Sequence, residues 1–548
     1  MSVFGKLQEN RKKVFQGAML LLLLILQLTV LLYYADRKAG FHEDEFYSYY
    51  STNKTAGLFV EDRTWQERDN FRNDFVVLEK ERFRYNIVKQ MQSWDVHPPF
   101  YYYLLHTVCS LFPGIFSKWL GIAVNIAAFI PCFFLLFSVV RNVMEDKDDT
   151  EGKRATGFAF MICLFWGFSG AVISGAMFIR MYQWLTLFVL LLTWLHVKAW
   201  KKGKFGIRFY LPLAATVFLG FMTQYYYIIF HVFLGAGLCL LLLKGKRIKE
   251  LFLYGFSCGV GLLAAILYYP ASFSHIFRGY RGTEAVSEFS NADNTLGRLN
   301  FFVGLFDDYV VNGTLAIFLL LICLGWLTVI FLRKNGTLKK EEEKSKRSQM
   351  IGLLLFACVG YFFTISKTAL LLGETSNRYQ LPIYGIVLFL LLYFTLEPVR
   401  MLIQKAGGKK QAFGLLGFMT VAAIAGILLT SHFERKVFFL YEEEAEIMEY
   451  VEANKDVPVV VYYREDSAAN VWRLSDELMV YPRIYLANQN NKELITDTVL
   501  TGSDRLLVYV ADKDDKEACL ENLLQSNGNL SSYSVVAEKN LWTLYEMN

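Results

Sequence analysis

The chain is built largely from apolar stretches that are each long enough to cross a lipid bilayer. The first stretch, Val14 to Tyr34, has about 21 residues, and a helix of about 20 apolar residues spans the hydrocarbon core. Apolar residues make up 54% of the 548 residues and charged residues only 20%, a composition that is too apolar for an ordinary soluble protein. The sequence therefore predicts an α-helical polytopic membrane protein.

Hydropathy predicts about 11 to 13 transmembrane helices in all. After the first helix, we expect helices at roughly residues 119–140, 155–177, 182–199, 207–224, 226–243, 250–270, 311–332, 350–366, 379–397 and 412–431. The apolar stretch from about 97 to 114 leaves the number open. Either this stretch inserts only partly or at a tilt, or a break such as Pro131 conceals another crossing.

The positions of basic residues predict the orientation of the chain in the membrane. Four Lys and Arg residues precede the first apolar stretch and no small-residue cleavage site follows it, which indicates a retained helix with a cytoplasmic N-terminus. Later basic segments are assigned to the same side, at about residues 198–204, 244–249, 333–347 and 400–410. Because the net charge of +5 lies mainly in these short loops, we expect no nucleic-acid partner.

The composition changes after the last apolar stretch. Residues 457–463, 505–511 and 542–545 have strand patterns, and residues 467–478 and 516–526 between them have helical patterns. We therefore expect a transmembrane domain at residues 1–440 and a small soluble α/β domain at residues 441–548, outside the membrane on its outer side. The first outer loop, at about residues 35–96, mixes charged and apolar residues in a way that favours amphipathic interfacial helices.

Two polar clusters adjoin the first apolar stretches. Residues 41–47 carry three consecutive acids, Glu43, Asp44 and Glu45, and residues 94–99 read Trp-Asp-Val-His-Pro-Pro. Both clusters are predicted on the outer face, so we expect them to converge in an active site. The competing interpretation is a solvated acidic loop and an ordinary proline-initiated helix.

Two arginines beside predicted spans are candidates for binding an anion. Arg180 and Arg378 lie at predicted outer helix ends, where an arginine is costly unless it meets an anion or an acid. For Arg378 the alternative is an ion pair with Glu374. Arg180 could instead hold Asp44 or Asp95 in place.

Five short motifs occur in order along the chain. They are Asp44-Glu45-x-Tyr47, the run from Asp95 to His106, Arg180-Met181-Tyr182, the run from Gly220 to Tyr226, and Arg378-Tyr379-Gln380-Leu381-Pro382. Together, over roughly residues 10–400, they resemble the motifs of bacterial membrane glycosyltransferases of the C superfamily, related to protein O-mannosyltransferases and lipid A aminoarabinose transferases. The chain departs from the family pattern at Gln224, where histidine is frequent, and at the apolar residues 177–179.

The resemblance implies transfer of a hexosyl or pentosyl group from a polyprenyl-phosphate donor of the undecaprenyl type. The acceptor would be a glycan, lipid or protein of the cell envelope, on the outer face of the plasma membrane and among its lipids. Such a reaction needs a base for the acceptor hydroxyl and a cationic site for the departing phosphate, and direct displacement with one base inverts the anomeric carbon. Asp44 is the expected base, supported by Glu45. The expected donor and phosphate contacts are Arg378, Arg180, Asp95, His97 and Tyr379.

Three further expectations accompany this interpretation. A divalent metal ion is a candidate cofactor, with Glu45 and His97 as its candidate ligands. A transporter or flippase of lipid-linked sugars is an alternative function, although the sequence has few of the mid-membrane charges that a transporter needs. A non-catalytic membrane scaffold is a third possibility, in which the acids could be neutralised without loss of function.

The predicted orientation can be tested directly on intact cells. Because residues 441–548 are expected outside, a protease added to sealed right-side-out cells should cleave this region, while the basic loop at residues 333–347 is cut only after lysis. Immunoblotting of fragments that carry a C-terminal tag measures the cleavage. Protection of the C-terminal region in sealed cells would contradict the orientation.

Overall fold

The computed structural model describes residues 3–54, 60–145, 153–335, 346–408, 410–464, 471–512, 516–539 and 541–548. By its internal contacts the chain divides into two compact units. The first unit comprises Met1–Ala35, Gln92–Tyr101 and Ile122–Phe438, and the second comprises Asp36–Met91, Tyr102–Gly121 and Phe439–Asn548.

Most of the described residues are helical, and the helices are numbered in chain order. The first twelve are α1 (Val3–Arg37), α2 (Glu43–Asn53), α3 (Arg68–Arg72), α4 (Tyr85–Trp94), α5 (Phe100–Leu111), α6 (Lys118–Met144), α7 (Lys153–Phe168), α8 (Gly170–Met177), α9 (Tyr182–Lys202), α10 (Ile207–Thr223), α11 (Tyr227–Lys244) and α12 (Ile248–Tyr268). The others are α13 (Ala271–Phe277), α14 (Tyr280–Ser290), α15 (Thr295–Tyr309), α16 (Leu315–Lys334), α17 (Lys346–Thr368), α18 (Tyr384–Lys405), α19 (Lys410–Phe433), α20 (Glu444–Ala453), α21 (Ser475–Leu478), α22 (Thr498–Thr501) and α23 (Lys516–Ser526). Short 3-10 helices lie at Glu79–Glu81, Thr375–Tyr379 and Leu381–Ile383.

The multi-pass helical fold predicted from hydropathy is confirmed. Among the described residues, eight helices are long and apolar enough to cross a membrane, and α7 with α8, bent by 56° at the break between them, makes a ninth if the pair is one span. The eight are Val14–Arg37, Lys118–Met144, Tyr227–Lys244, Ile248–Tyr268, Leu315–Lys334, Lys346–Thr368, Leu381–Lys405 and Gln411–Phe433. Helices α9 and α10 also lie where the sequence predicts spans, and the lower expected number of 11 requires both of them to cross.

The ambiguous stretch at about residues 97–114 contains one short helix. Helix α5 has 12 residues and rises roughly 18 Å, well short of a hydrocarbon core of about 30 Å. Pro131 lies inside α6, which continues as one helix of 27 residues, so it does not conceal another crossing. The alternative that fits is therefore a partial insertion.

A single sheet in the second unit contains the six described strands. They are β1 (Thr64–Glu67), β2 (Val459–Tyr463), β3 (Arg483–Asn488), β4 (Leu506–Ala511), β5 (Tyr533–Lys539) and β6 (Trp542–Met547), in the order β1-β3-β2-β4-β6-β5. β2 pairs in parallel with β3 and β4, and every residue of β2 and β4 is buried, as the continuous apolar sequences of these strands indicate.

Several elements of this unit lie where the sequence predicts them. β2, β4 and β6 match the three predicted strands, and α23 has the predicted bounds. The predicted helix at residues 467–478 begins outside the described residues and ends in α21. Strands β1, β3 and β5 are absent from the prediction, because β1 has only four residues and β5 is mostly exposed or half-buried.

Strand β1 comes from the segment between α2 and α3 and forms one edge of the sheet. It runs antiparallel to β3, with Thr64 opposite Leu486 and Glu67 opposite Arg483. Trp65 anchors it, because its indole N–H donates to Asp497 Oδ2 at 2.9 Å and its ring packs against the main apolar cluster of the sheet. The sheet thus joins segments from both ends of the sequence.

We expect Trp65→Ala to weaken this unit. Loss of the indole contacts should lower the free energy of unfolding by about 2 kcal/mol, less than for a fully buried tryptophan because Trp65 is half-buried. Thermal unfolding of the purified protein in detergent, followed by proteolysis near residues 60–72, measures the change. Trp94→Ala is the control, because that side chain is 66% exposed. Equal unfolding midpoints for the two variants would contradict the role of β1.

Candidate active site

Asp95, His97 and Arg180 form a hydrogen-bonded chain in the first unit. Asp95 Oδ2 lies 2.8 Å from His97 Nδ1, and His97 Nε2 lies 3.1 Å from Arg180 Nη2. Because a guanidinium can only donate, His97 accepts from Arg180 through Nε2 and donates to Asp95 through Nδ1. The imidazole therefore fixes the arginine and the carboxylate relative to each other.

Asp95 remains ionised in this series of hydrogen bonds. Burial alone would raise the pKa of Asp95, but its interactions with His97, with Arg180 and with the Val96 N–H lower this pKa to about 2. The side chain is still 38% exposed. The group is consequently a carboxylate at any physiological pH and holds Arg180 through His97.

Arg378 is buried among aromatic rings. The residue is 4% exposed, and its guanidinium carbon lies 5.0 Å from the ring centre of Phe178, 5.1 Å from that of Tyr379 and 5.9 Å from that of Tyr182. Its Nη2 donates to the Tyr379 hydroxyl at 3.3 Å. Cation–π attraction holds the side chain, and the low local dielectric strengthens its attraction for an anion. Such a site is suited to a phosphate.

The break between α8 and α9 connects the two arginines. Helix α8 ends at Met177, and the Arg180 N–H donates to the Phe178 carbonyl at 2.7 Å in the turn that follows. Phe178 and Tyr182 contact Arg378, whereas Arg180 between them contacts His97. Five predicted site residues therefore lie in the first unit and on one network, namely Asp95, His97, Arg180, Arg378 and Tyr379.

Sequence reasoning missed a second layer of contacts around residues 93–97. His275 in α13 lies 3.0 Å from the Tyr225 hydroxyl through Nδ1 and 3.2 Å from the Ser93 carbonyl through Nε2, and the Tyr269 hydroxyl donates to the His97 carbonyl at 3.3 Å. Burial lowers the pKa of His275, which favours the neutral ring. A single histidine in a polar segment gave no signal that would have revealed this contact.

The acid cluster belongs to the second unit, at the start of α2. His42 is the N-cap, and it accepts from the Asp44 N–H at 3.0 Å, while Glu45 accepts from the His42 N–H at 2.7 Å. This capping box fixes the first turn of the helix and hence the position of Asp44. The sequence His-Glu-Asp-Glu encodes the cap directly.

The three acids of this cluster differ in their surroundings. Glu43 forms an ion pair with Arg473. Glu45 forms one with Lys38 at 2.9 Å, and the side chains of Glu45 and Lys38 are fully buried. The Asp44 side chain is 31% exposed, more than that of Glu43 or Glu45. Of the three, Asp44 is thus the carboxylate best placed to meet a ligand.

The predicted metal ligands are arranged for other contacts. Throughout the described part of the chain, no group of three or more His, Cys, Asp and Glu side chains is placed to hold a metal ion. Glu45 is held by Lys38 and the His42 N–H, and both ring nitrogens of His97 contact other side chains. These residues do not fit the divalent ion that the sequence suggests, and no step is derived through it.

Comparison with known proteins identifies the fold. No protein-family model and no curated protein sequence matches the chain. ArnT from Cupriavidus metallidurans bound to undecaprenyl phosphate matches with a TM-score of 0.50 and 12% identity over 96% of this chain and 98% of that chain. Its apo structure matches with a TM-score of 0.50 and 11% identity over 97% and 98%. A weaker likeness, with a TM-score of 0.43 and 11% identity over 94% and 74%, is to the archaeal oligosaccharyltransferase AglB from Archaeoglobus fulgidus.

The chain is therefore a multi-pass α-helical membrane protein with a small sheet built mainly from its C-terminal residues. More specifically, it has the fold of ArnT, and the predicted resemblance to this type of protein is confirmed at the level of fold. At 11–12% identity the likeness defines the architecture and leaves the reaction to be argued from the site.

Proposed function

We propose that the protein is a glycosyltransferase that uses a polyprenyl-phosphate sugar as its donor. The observation that carries the proposal is the buried guanidinium of Arg378 among aromatic rings, in a fold whose solved example ArnT binds undecaprenyl phosphate. A buried cation surrounded by rings and a phenol can take up a phosphate monoester or diester without a metal ion. The protein and ArnT would then share a polyprenyl-phosphate ligand as well as a fold.

Arg378 and Arg180 are assigned to the donor phosphate. As the bond between the anomeric carbon and the phosphate oxygen breaks, negative charge grows on the phosphate, and fixed guanidinium groups stabilise that charge. Asp95 and His97 keep Arg180 in position through the hydrogen-bonded chain. Tyr379 serves both functions, because its ring packs on Arg378 and its hydroxyl accepts from it.

Asp44 is assigned as the catalytic base. It takes the proton of the acceptor hydroxyl while the hydroxyl oxygen bonds to the anomeric carbon, and the lipid phosphate leaves with the electron pair of the broken bond. A phosphate leaving group needs no general acid, so one carboxylate suffices and the configuration inverts. The exposure of the Asp44 side chain, which is greater than that of Glu43 or Glu45, supports this choice.

The acceptor is proposed to lie on the outer side of the plasma membrane. The basic loops support a cytoplasmic N-terminus and an outer position for the residues from 441 onward. Strand β1, from the predicted first outer loop, pairs in the sheet of those residues. A glycan, lipid or protein of the cell envelope that carries a hydroxyl group would serve as acceptor. The sugar transferred is a hexosyl or pentosyl group.

Asp44→Asn should abolish transfer while leaving the protein folded. Removing the base should lower kcat/KM at least about 100-fold, since a positioned general base contributes about 10² to 10⁴ in rate. Purified protein incubated with a panel of undecaprenyl-phosphate sugars and cell-envelope acceptors measures the turnover. Glu43→Gln is the matched control on the same helical turn, and its turnover should stay within about threefold of the wild type. Near-normal turnover by Asp44→Asn would reject Asp44 as the base.

Arg378→Gln should weaken donor binding. Loss of a charge-assisted contact to phosphate costs about 1.5–3 kcal/mol, so the Kd for undecaprenyl phosphate should rise about 10- to 100-fold. Native mass spectrometry or quenching of tryptophan fluorescence in detergent measures this Kd. Arg208→Gln is the control, because Arg208 is an exposed arginine in α10. Equal Kd values for the two variants would remove Arg378 from the donor site.

A further inference from the structure

A buried lysine, Lys38, holds the turn that precedes Asp44. The Lys38 side chain is fully buried, and its ammonium group donates to Glu45 Oε2 at 2.9 Å and to the Phe439 carbonyl at 2.6 Å. The backbone N–H groups of Ala39 and Gly40 both donate to the Leu440 carbonyl, at 2.8 Å and 3.4 Å. The residues between α1 and α2 are thus tied to the segment that leads into α20.

Glu444 in α20 packs directly against this turn. A Cβ atom at Gly40 would overlap the Glu444 carboxylate and would lie 2.9 Å from Tyr441 Cβ, so an alanine at position 40 would displace the turn, the Glu444 side chain or both. The same carboxylate oxygen of Glu444 lies 2.8 Å from Lys539 Nζ in β5. The Glu444 carboxylate therefore lies between the turn and Lys539, whose side chain is 13% exposed.

Acids outnumber lysines in this cluster. Lys539 Nζ also lies 2.7 Å from Glu477 Oε1 and 3.5 Å from Asp476 Oδ1, both in α21, and Lys38 interacts electrostatically with Glu444 and Asp476. Counted over the described side chains, two lysines face four carboxylates, which are those of Glu45, Glu444, Asp476 and Glu477. A buried carboxylate that lacks a positive partner is costly, and the cost falls when one of the four carboxyl groups keeps its proton.

We infer that Lys38, Gly40 and Glu444 are positioning residues for Asp44, and that proton uptake by Glu444 tightens the turn that carries it. The inference rests on the proposed function in one respect, the assignment of Asp44 as the base. The ion pair of Lys38 with Glu45 fixes the capping box from one side, and the contact of Glu444 with Gly40 fixes the turn from the other. A shift of about 1 Å in a catalytic group can cost about 100-fold in rate, so a displaced turn would slow the reaction.

The direction of the pH effect follows from the surroundings of Glu444. The pKa of Glu444 is raised from 4.5 to about 7, mainly by burial and further by the charges of Asp476 and Glu477. The positive charge of Lys539 lowers this pKa but does not outweigh them. A group whose pKa is raised in the folded state stabilises that state fully below its unfolded pKa and loses this effect as pH rises through the folded value. On the premise that opening the turn exposes the Glu444 carboxyl to water and returns its pKa to 4.5, the closed state should lose about tenfold in its equilibrium constant between pH 6 and pH 8.

The first experiment inserts a methyl group into the contact. Gly40→Ala should lower kcat at least about tenfold without changing the Kd for undecaprenyl phosphate, because the turn and not the donor site is displaced. The assay uses the polyprenyl-phosphate sugar that the wild type turns over. Adding Glu444→Asp to Gly40→Ala withdraws the overlapping carboxylate by one methylene and keeps the acid, so the double variant should recover at least about threefold of the lost kcat.

Gly528→Ala is the matched control, since a Cβ there meets nothing within 4 Å in the same unit. Its kcat should equal that of the wild type. A folded Gly40→Ala variant with wild-type kcat, or a double variant no faster than Gly40→Ala, would overturn the inference.

The second experiment does not depend on catalysis. Hydrogen exchange of peptides covering residues 38–53, corrected for intrinsic exchange, should show about tenfold less protection at pH 8 than at pH 6 in the wild type. In Glu444→Gln, which keeps the shape but does not titrate, protection should be the same at both pH values. An equal loss in both proteins, or a loss in neither, would overturn the role of Glu444. If these exchange results hold while Asp44→Asn transfers sugar normally, the proposed base is wrong and the control of the turn by Glu444 stands.

Discussion

The hydrocarbon core of the membrane is the constraint on which this structure depends. Within it every backbone N–H and C=O must be paired inside the protein, which leaves helices as the only regular option for these stretches. Three polar side chains of the candidate site are found where helices break. Arg180 lies between α8 and α9, Arg378 in the 3-10 helix before α18, and His97 between α4 and α5. At a helix break, a side chain can take an orientation that a regular helix does not allow.

Charge pairing holds several of the charged side chains in place. Asp95 is held by His97 and Arg180, Glu43 by Arg473 and Glu45 by Lys38. Each pair lowers the cost of removing a charge from water, and each fixes the position of a neighbouring segment. Aromatic rings hold Arg378 in place by cation–π attraction.

The sequence predicted those features that depend on local patterns. Hydropathy located the spans, continuous apolar runs located β2 and β4, and the cost of an arginine beside a span drew attention to Arg180 and Arg378. Features that depend on distant partners could not be predicted. The pairing of β1 with β3 and the contact of His275 with Ser93 both join residues that carry no mutual signal in one sequence. For the same reason, the contact between Gly40 and Glu444 could not be predicted from the sequence.

The pairing of β1 with β3 also constrains the order of events during biosynthesis. Thr64 and its partner Leu486 are separated by about 420 residues, so β1 leaves the ribosome long before its neighbour exists. At about 5–20 residues per second, the early strand waits roughly 20 to 80 seconds while most of the membrane helices are inserted. During that interval the edge of β1 is unpaired, and chaperones or proteases can bind it. Completion of the sheet thus requires a chain synthesised through β3, and a product that ends before β3 leaves β1 without its partner.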